Sequence, residues 1–308
     1  MTAAVRSQMV EPAHTRLLAA QNSDGGWGSE PGRSSNTEAT AFALLAATRL
    51  PGGATDQAVA RGVAWLRAQQ NPDGSWPLSA RVSGASWTTS LGVIALHSLG
   101  SDGDRTQRGV EWLVRDEPRR YRWLDAVMYR FGGEAMPARL DPTLTGWSWA
   151  LGTASWVEPT VYAILALKKA GRELRGGRLA ERLQNAESML HDRMCEGGGW
   201  NYGNSKVYGT ALAPYADTTA LALIALQHRR DATATRESLD VLERLLEQTR
   251  SGLALSWAIV CFALHGRTTE RCTAELAAAY ARTGFLGHVK PLALAIVAAT
   301  DGAVVFKV

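Results

Sequence analysis

The sequence predicts an all-α protein built as a closed α/α toroid, in which six inner helices are surrounded by six outer helices. Three observations predict this fold class. A glycine-tryptophan phrase recurs along the chain, several short stretches are almost wholly small or aliphatic, and amphipathic segments alternate with those stretches. Repeat units that cannot bury their apolar faces alone must pack on their neighbours. We therefore expect one domain over residues 1–308.

The recurring phrase ends on a tryptophan. Residues 21–27 read QNSDGGW and residues 70–76 read QNPDGSW, and looser copies lie at 144–147 and 195–200. After each copy comes a loop and then a threonine that opens an apolar stretch. We expect the phrase to be structural, because glycine permits a sharp turn, aspartate accepts hydrogen bonds from nearby backbone N–H groups, and a buried indole packs on a helix with its N–H paired.

The apolar stretches predict the inner helices, because a helix that is apolar on all sides has to be buried. Their ranges are Thr40–Ala47, Thr89–Leu96, Thr160–Leu167, Thr219–Leu226, Trp257–Leu264 and Pro291–Ala298. The segments between them have one polar face and predict the outer helices. Those ranges are Pro12–Ala20, Gln57–Gln70, Thr106–Asp116, Arg178–Met194, Glu237–Thr249 and Glu270–Thr283. Strand signals are negligible, and only residues 303–308 form a short β-prone tail.

Composition argues against a membrane-spanning protein, a nucleic-acid binding protein and a protein with a structural zinc site. No apolar run approaches the roughly 20 residues that a bilayer span needs. The net charge of +4 comes from scattered basic residues, which is not the pattern of a nucleic-acid binding protein. The first residues lack the apolar core of a secretory signal, so we expect a cytoplasmic protein and leave contact with a membrane surface open. Three cysteines without CxxC spacing predict reduced thiols and no structural zinc site.

The regular period is broken once, between Thr89 and Thr160. The additional residues form an insertion at 117–145 that is rich in arginine and aromatic side chains. Two interpretations stay open. The insertion is either part of the rim over a central cavity, where arginines would meet an anionic head group, or a longer connection with a solvated basic face.

Taken together, the outer helix, glutamine, glycine-rich turn, tryptophan and apolar inner helix resemble the repeats of squalene-hopene cyclases, other class II terpene cyclases and the β subunits of protein prenyltransferases. Residues 146–149 (GWSW) and 153–160 (TASWVEPT) are very similar to phrases in short bacterial proteins of the prenyltransferase/squalene-oxidase-repeat family. The resemblance covers about residues 10–300. It implies the terpenoid cyclase/protein prenyltransferase-like toroid.

Acidic residues precede three of the inner stretches at equivalent places. The residue two positions before the threonine is Glu38, Trp87, Glu158 or Asp217 in the first four stretches. These residues should lie at one end of the toroid, where carboxylates accept hydrogen bonds from free helix N–H groups and complement the helix dipole. Helix capping is therefore one interpretation of the carboxylates, and chemistry in the cavity is the other.

The resemblance implies a proton donor. Class II cyclases protonate an alkene or epoxide with the middle Asp of an Asp-x-Asp-Asp-Thr-Ala motif, and residues 215–220 (YADTTA) keep that Asp as Asp217. Tyr215 and Thr218 replace the other two acidic residues, and a lone buried Asp is a weaker acid than one within such a cluster. We take Asp217 and Glu158 as the catalytic candidates.

Aromatic residues cluster before the same two helices. A cation is stabilised by about 0.5–2 kcal/mol on each aromatic face, so these rings suit carbocation chemistry. The predicted substrate-binding residues are Trp87, Trp149, Trp156, Tyr202 and Tyr215.

The expected function is acid-initiated cyclisation of a linear isoprenoid by a small class II terpene cyclase. A prenyltransferase-type zinc site is not expected, because Thr219 stands where the resemblance requires a cysteine two residues after Asp217. No sequence motif for another metal or for a cofactor is present. Two alternatives stay open: a toroid that binds an isoprenoid or other lipid without converting it, and a scaffold whose surface binds another protein.

Overall fold

The computed structural model describes residues 2–116, 127, 140–171, 177–230 and 232–308. Within these residues, twelve α-helices of nine or more residues follow one another. The odd-numbered helices are α1 (Glu11–Ala19), α3 (Gly53–Ala68), α5 (Gly103–Arg115), α7 (Gly177–Asp192), α9 (Thr233–Glu247) and α11 (Glu270–Thr283). The even-numbered helices are α2 (Thr37–Ala47), α4 (Thr89–Ser98), α6 (Val157–Ala170), α8 (Ala216–Ala225), α10 (Gly252–His265) and α12 (Val289–Ala299). Shorter helical turns lie at Ala3–Val5, Arg6–Val10, Gln227–Arg229, Gly284–Gly287 and Asp301–Phe306.

The even-numbered helices form the inner ring. Each one packs on the even-numbered helix before it and the one after it, and α12 packs on α2 to close the circle. In this order α12 lies opposite α6, and α2 lies opposite α8. The odd-numbered helices pack outside the ring. The predicted all-α toroid with six inner and six outer helices is therefore confirmed.

Burial divides the two sets as the sequence pattern predicts. In α4, for example, residues 89–96 are all buried, whereas α5 alternates buried residues with exposed charged ones. An inner helix has neighbours on every side, so it has no face left for polar side chains. Among the described residues, no helix is both long enough and apolar enough to cross a bilayer.

The repeat phrase joins each outer helix to the next inner helix. All four phrase tryptophans are buried, and the backbone N–H of each donates to a threonine hydroxyl of the following inner helix at 2.9 Å. The indole N–H donates to a leucine carbonyl at the end of the preceding outer helix, at 2.6–3.2 Å. The tryptophan–threonine pairs are Trp27–Thr40, Trp76–Thr89, Trp147–Thr160 and Trp200–Thr219. The structural interpretation of the phrase is confirmed.

Glycine is required at the turn of the phrase. Gly25 and Gly74 have φ angles of +92° and +95°. A Cβ at these positions would lie 2.8 Å from the carbonyl oxygen of Arg61 and 2.5 Å from that of Arg108. Both the left-handed conformation and the close approach of the next outer helix exclude a side chain there.

Three features differ from the sequence expectations. Helices α2, α6 and α8 begin at Thr37, Val157 and Ala216, one turn before the threonines that open the apolar stretches. Two short antiparallel hairpins are present in loops, formed by β1 (Pro77–Ser79) with β2 (Val82–Ala85) and by β3 (Lys206–Val207) with β4 (Thr210–Ala211).

The end of the chain is also helical rather than extended, since a 3₁₀ turn covers Asp301–Phe306. The amide of Gln227 donates to the Phe306 carbonyl at 2.9 Å, and the Phe306 ring packs edge-on against Trp257 at 5.1 Å. Docking of this segment on the toroid overrides its β-propensity.

The insertion predicted at 117–145 lies largely outside the described residues. Its described end, 140–145, contacts α7, because the backbone N–H of Asp141 donates to Asp192 and that of Thr145 donates to Asn185. The indole of Trp147 binds the carbonyl of Leu113 before the insertion. The insertion therefore interrupts one repeat between its outer helix and its tryptophan. Its place at the rim stays a prediction.

Candidate functional site

Charged side chains occupy equivalent positions at one end of the toroid. Glu38, Glu158, Asp217 and Lys290 are each the second residue of an inner helix, in α2, α6, α8 and α12 respectively. Because these helices start at the same end of the ring, their second residues meet there. We call this set of four residues the axial cluster.

Lys290 lies at the centre of the axial cluster. Its Nζ is 2.8 Å from Oε1 of Glu38 and 3.1 Å from Oε1 of Glu158. Glu38 comes from the neighbouring helix and Glu158 from the opposite one, so the bridge crosses the axis of the ring. The Lys290 ammonium also lies over the ring of Phe42, 5.4 Å from its centroid. All three charged side chains keep some access to solvent, between 14% and 27%.

The carboxylates keep Lys290 charged. Burial by itself would lower the pKa of Lys290, but Glu158 and Glu38 outweigh burial and raise that pKa. A cation in the first turn of a helix is otherwise unfavourable, because the N-terminal end carries the positive pole of the helix dipole. The two carboxylates offset this cost.

Three aromatic side chains pack together on the axis of the toroid, next to the ion pairs of Lys290. The hydroxyl of Tyr162 donates to Oε1 of Glu158 at 2.8 Å. The Tyr162 ring is fully buried and lies 6.2 Å from the ring of Phe42 and 6.3 Å from that of Trp257, centroid to centroid. These three residues come from three different inner helices, so they fill the axis below Lys290. We call the end of the ring at which the partly exposed side chains of Lys290, Glu38 and Glu158 lie the mouth.

Asp217 is the carboxyl that Lys290 does not contact. It is partly buried, and its Oδ1 accepts the backbone N–H of Thr218 at 2.9 Å. Burial is the largest cause that raises the pKa of Asp217, and the charge of Glu158 raises it further, while the Thr218 N–H and Lys290 act in the other direction. The net result is a carboxyl that holds its proton to higher pH than an ordinary aspartate.

Helix capping does not explain Glu38 and Glu158, whose carboxylates bind Lys290. The N-cap of α2 is Asn36, whose side chain accepts the N–H of Ala39 at 2.8 Å, and Glu38 is bonded to Lys290 instead. The N-cap residues of α6 and α8 are Trp156 and Tyr215, and neither makes a side-chain capping bond. The capping interpretation is thus wrong for Glu38 as the N-cap residue. Asp217 does bond one free N–H of its first turn.

The predicted aromatic residues lie beside the cluster in two groups. Trp87 stacks on Tyr162 with 5.9 Å between centroids, and Trp149 meets Trp87 edge-on at 4.7 Å. On the side of Asp217, the rings of Tyr202 and Tyr215 are 5.4 Å apart, and the charge of Asp217 is the largest cause that raises the pKa of Tyr202.

Trp156 has a different environment. It packs against the backbone at Gly203, where an added Cβ would lie 3.3 Å from its ring. No ring contact joins Trp156 to the other aromatic side chains among the described contacts. Its role in substrate binding stays a prediction.

Sequence reasoning missed Lys290, Tyr162, Phe42 and Trp257. The inner stretches are equivalent through their threonines, and in α12 the corresponding residue is Leu292, so the sequence does not pair Lys290 with Glu38. A single lysine next to a wholly apolar stretch was the signal available. The three aromatic residues lie inside buried helices, where the pattern does not tell which side faces the axis.

This arrangement can separate two chemical roles. A carboxyl that keeps its proton can donate it, while the other carboxyl groups and the aromatic faces nearby can stabilise positive charge. Among the described residues, no three His, Cys, Asp or Glu side chains are grouped as metal ligands are.

Known proteins share parts of this sequence. A family model described as the squalene-hopene cyclase C-terminal domain matches residues 1–84. Over 71 residues the chain is 37% identical to drimenyl diphosphate synthase from Streptomyces showdoensis, a match that covers 23% of this chain and 13% of that synthase. The family model confirms, over residues 1–84, the resemblance inferred from the repeat phrases.

Solved structures share the whole fold. The type II terpene cyclase MstE from Scytonema matches with a TM-score of 0.57 and 19% identity, over 93% of this chain and 79% of that one. A glycosidase matches with a TM-score of 0.62 and 9% identity, over 99% of each chain. Similarity at this level of identity shows the toroid alone. Because a terpene cyclase and a glycosidase share the toroid, the fold of this chain does not select its reaction.

Proposed function

We propose that this chain is an enzyme of the class II terpene cyclase type, which starts the cyclisation of a linear isoprenoid by proton transfer from the Asp217 carboxyl. The observation that carries the proposal is the environment of Asp217. It lies at the same mouth as Glu38, Glu158 and Lys290, makes no ion pair with Lys290 among the described contacts, and has a raised pKa. The similarity to drimenyl diphosphate synthase supports an isoprenoid diphosphate as one substrate to test.

The proposed reaction is balanced without a cofactor. The Asp217 O–H proton adds to one carbon of a terminal alkene, and the neighbouring carbon becomes a cation. Internal double bonds then attack the cation in turn, each forming a C–C bond and moving the positive charge along the chain. Loss of a proton from the last cation restores an alkene, and proton return to Asp217 completes the cycle.

Glu158 has a different role in this proposal from Asp217. Its Oε1 already accepts hydrogen bonds from both Lys290 and Tyr162. We therefore assign Glu158 to electrostatic stabilisation of positive charge rather than to proton donation. Trp87, Trp149, Tyr202 and Tyr215 would present their faces to the developing cation, each worth about 0.5–2 kcal/mol.

The test is incubation of the purified chain with farnesyl diphosphate, geranylgeranyl diphosphate, squalene and oxidosqualene, with products analysed by mass spectrometry. We expect a cyclic product from at least one substrate and a loss of about 100-fold or more in rate for Asp217→Asn, since a general acid contributes about 10²–10⁴-fold. Asp56→Asn is the matched control, because Asp56 is an exposed first-turn aspartate of outer helix α3. Its rate should equal that of the wild type.

One observation favours a second function, the binding of an isoprenoid without conversion. Tyr215 and Thr218 stand where the resembling motif has acidic residues, so the donor lacks the neighbours that strengthen it in that family. A lipid that co-purifies with the wild type and with Asp217→Asn alike, together with unchanged substrates at every chain length, would support binding alone and overturn the cyclase proposal.

A further inference from the structure

A cavity of about 770 Å³ lies at the end of the toroid opposite to the axial cluster. It is lined by residues of α10 and α12, by the residues that follow α2 and α12, by the start of α11 and by Arg6. Thr48 in its lining and Glu38 in the axial cluster lie at opposite ends of α2, about 15 Å apart along the helix. Its volume falls within the range of about 300–1,000 Å³ that is usual for small-molecule sites.

The lining of this cavity combines apolar side chains with cationic and hydroxyl groups. Leu50, Ile259 and four alanines are apolar, whereas two arginines and four threonines are polar, and Asp301 is also part of the lining. Different elements supply the two kinds of group, since α10 contributes Ile259 and an alanine and α11 contributes two of the threonines. Such a lining fits a ligand that carries an anionic head group on a short apolar chain.

Arg49 brings a positive charge to the cavity and has no carboxylate partner among the described ion pairs. Its Nη2 donates to the hydroxyl of Thr48 at 3.2 Å, and its Nε is buried without a hydrogen-bond partner in the described part of the chain. Arg6, by contrast, is paired with Glu11 at 3.0 Å. A guanidinium keeps its charge in proteins, and its planar fork of N–H donors matches the oxygens of an anionic group. Arg49 therefore has donors left for a ligand.

The start of α11 supplies further donors. Thr269 is the N-cap residue of this helix, but its side chain accepts none of the N–H groups of the first turn. The hydroxyl groups of Thr269 and Thr273 both line the cavity and make no hydrogen bond to another described residue. Because the two threonines are four residues apart, they lie on the same face of the helix. A phosphate group, with three terminal oxygens, can use these hydroxyls and the arginine fork together, whereas a carboxylate has two oxygens.

We propose that this cavity binds a phosphate monoester with a short apolar chain. The phosphate binds Arg49 and the hydroxyls of Thr269 and Thr273, and the chain packs against Leu50 and Ile259. This site is separate from the axial cluster and does not depend on the proposed function. A positive charge after the last turn of α2 also complements the helix dipole, so the experiment has to separate ligand binding from stabilisation of the helix.

The experiment is isothermal titration calorimetry of the full chain with n-hexyl phosphate, which has no double bond and so cannot be cyclised. We expect saturable binding at one site. Inorganic phosphate should bind at least about tenfold more weakly, because it lacks the apolar chain. Heptanoate, which carries the same hexyl chain on a carboxylate, should also bind more weakly.

Variants of Arg49 separate the two roles of its charge. Arg49→Gln should weaken the binding of hexyl phosphate by about tenfold or more, the loss expected for a charge-assisted hydrogen bond. Arg49→Lys keeps the charge beside the end of α2, so it should keep the urea midpoint of the wild type, yet it should bind hexyl phosphate more weakly because it lacks the fork. An arginine that only stabilises the helix would lower the urea midpoint in Arg49→Gln and leave binding unchanged, which would overturn the proposal.

Arg230→Gln is the matched control. Arg230 follows the inner helix α8 at the same end of the toroid, donates to the Gln227 carbonyl at 3.2 Å and is not part of the lining. This variant should bind hexyl phosphate as the wild type does. Ala263→Phe tests the location without a change of charge, because Ala263 is an exposed residue of α10 that lines the cavity. The larger side chain should weaken binding, and this test stands even if Arg49→Gln does not fold.

Three results would overturn the proposal. They are a wild type that shows no saturable binding of hexyl phosphate, binding that is unchanged in both Arg49→Gln and Ala263→Phe, and heptanoate that binds as tightly as hexyl phosphate. The proposed function is tested separately, since Asp217→Asn should bind hexyl phosphate as the wild type does. A chain that converts no isoprenoid can therefore still have this site, and an active cyclase can lack it.

Discussion

At the scale of single residues, side chains at equivalent helix positions differ in the groups that they contact. Glu38, Glu158 and Asp217 share the second place of their helices, yet two of them bind Lys290 and the third binds a backbone N–H. A carboxylate with an ammonium partner is stabilised as an ion, whereas a partly buried carboxyl without one is stabilised as an acid. Under the proposed function, these three similar residues would have two different chemical roles.

Asp217 should lower the free energy of unfolding by an amount that depends on pH. Its pKa in the folded protein is raised above the ordinary value of 3.8, so below that value the side chain is protonated in both states and contributes nothing. As pH rises through the folded pKa, the folded state must release a proton that it holds more tightly, and stability falls. The free energy of unfolding of Asp217→Asn should therefore gain on that of the wild type as pH rises above the ordinary aspartate pKa of 3.8, until the difference becomes constant above the folded pKa.

Urea unfolding at several pH values measures this difference. Asp56→Asn serves as the control, since Asp56 is exposed and complements the dipole of α3, so its removal should cost a few tenths of a kcal/mol at neutral pH. A difference between Asp217→Asn and the wild type that is constant with pH would contradict the assignment of a raised pKa.

The sequence revealed part of the site at this scale. Glu158 and Asp217 were found because each precedes a threonine that bonds a tryptophan N–H, and that bond fixes the register of the helix. Lys290 was not found because α12 has no such tryptophan and no threonine at that place. Tyr162 and Phe42 were not found because a helix that is buried on all sides has no polar face, and so nothing in its pattern shows which residues point to the axis.

At the scale of secondary-structure elements, the repeat phrase determines where each helix can lie. Each phrase tryptophan is buried between an outer and an inner helix, and glycines in the outer helices leave room for it. A Cβ at Gly62 of α3 would lie 2.6 Å from the ring of Trp27, and one at Gly109 of α5 would lie 2.7 Å from the ring of Trp76. The two outer helices thus use glycine at matching places for the same reason.

The substitution Gly109→Ala should destabilise the protein even though alanine is the better helix former. The added methyl group would lie 2.6 Å from Val93 and 2.7 Å from Trp76, and overpacking of this kind costs about 1–3 kcal/mol. The gain in helix propensity, about 1 kcal/mol, offsets only part of this cost. Thermal or urea unfolding should show a lower midpoint.

Gly103→Ala is the matched control in the same helix. Gly103 has nothing within 4 Å of its Cβ position, so the same substitution should be neutral or slightly stabilising. Equal effects of the two substitutions would show that helix propensity, and not the space for Trp76, decides the residue at position 109.

The elements themselves were predictable to within about one turn. The alternation of apolar and amphipathic segments placed all twelve helices, because burial on every side and burial on one side leave different patterns. The predicted starts are too late in α2, α6 and α8, since a polar first turn such as Thr37–Glu38 does not look like part of an apolar helix. They are also too late in α10, which begins at Gly252 rather than Trp257, and in α12, which begins at Val289 rather than Pro291. The hairpins before α4 and α8 are too short to leave a strand pattern.

At the scale of the whole molecule, closure of the ring removes the terminal repeats that a linear array has. Helix α12 packs on both α2 and α1, and the last residues of the chain bind Gln227, whose side chain bonds the backbone of Phe306 and Val308. Every inner helix therefore has two inner neighbours. In an open array the end units fray first, because they lack one neighbour.

Ring closure predicts cooperative unfolding wherever the chain is weakened. Thr40→Val and Thr219→Val each remove the hydroxyl that accepts the buried N–H of Trp27 or Trp200, in repeats on opposite sides of the ring. A buried donor left without a partner costs about 1–3 kcal/mol. Both variants should unfold in one transition at a lower urea midpoint, and the transitions followed by tryptophan fluorescence and by far-ultraviolet circular dichroism should coincide.

Thr40→Ser and Thr219→Ser are the controls, because they keep the hydroxyl, and their urea midpoints should stay near that of the wild type. A separate early transition in either valine variant would mean that its repeat unfolds alone, as in an open array whose ends are not held together.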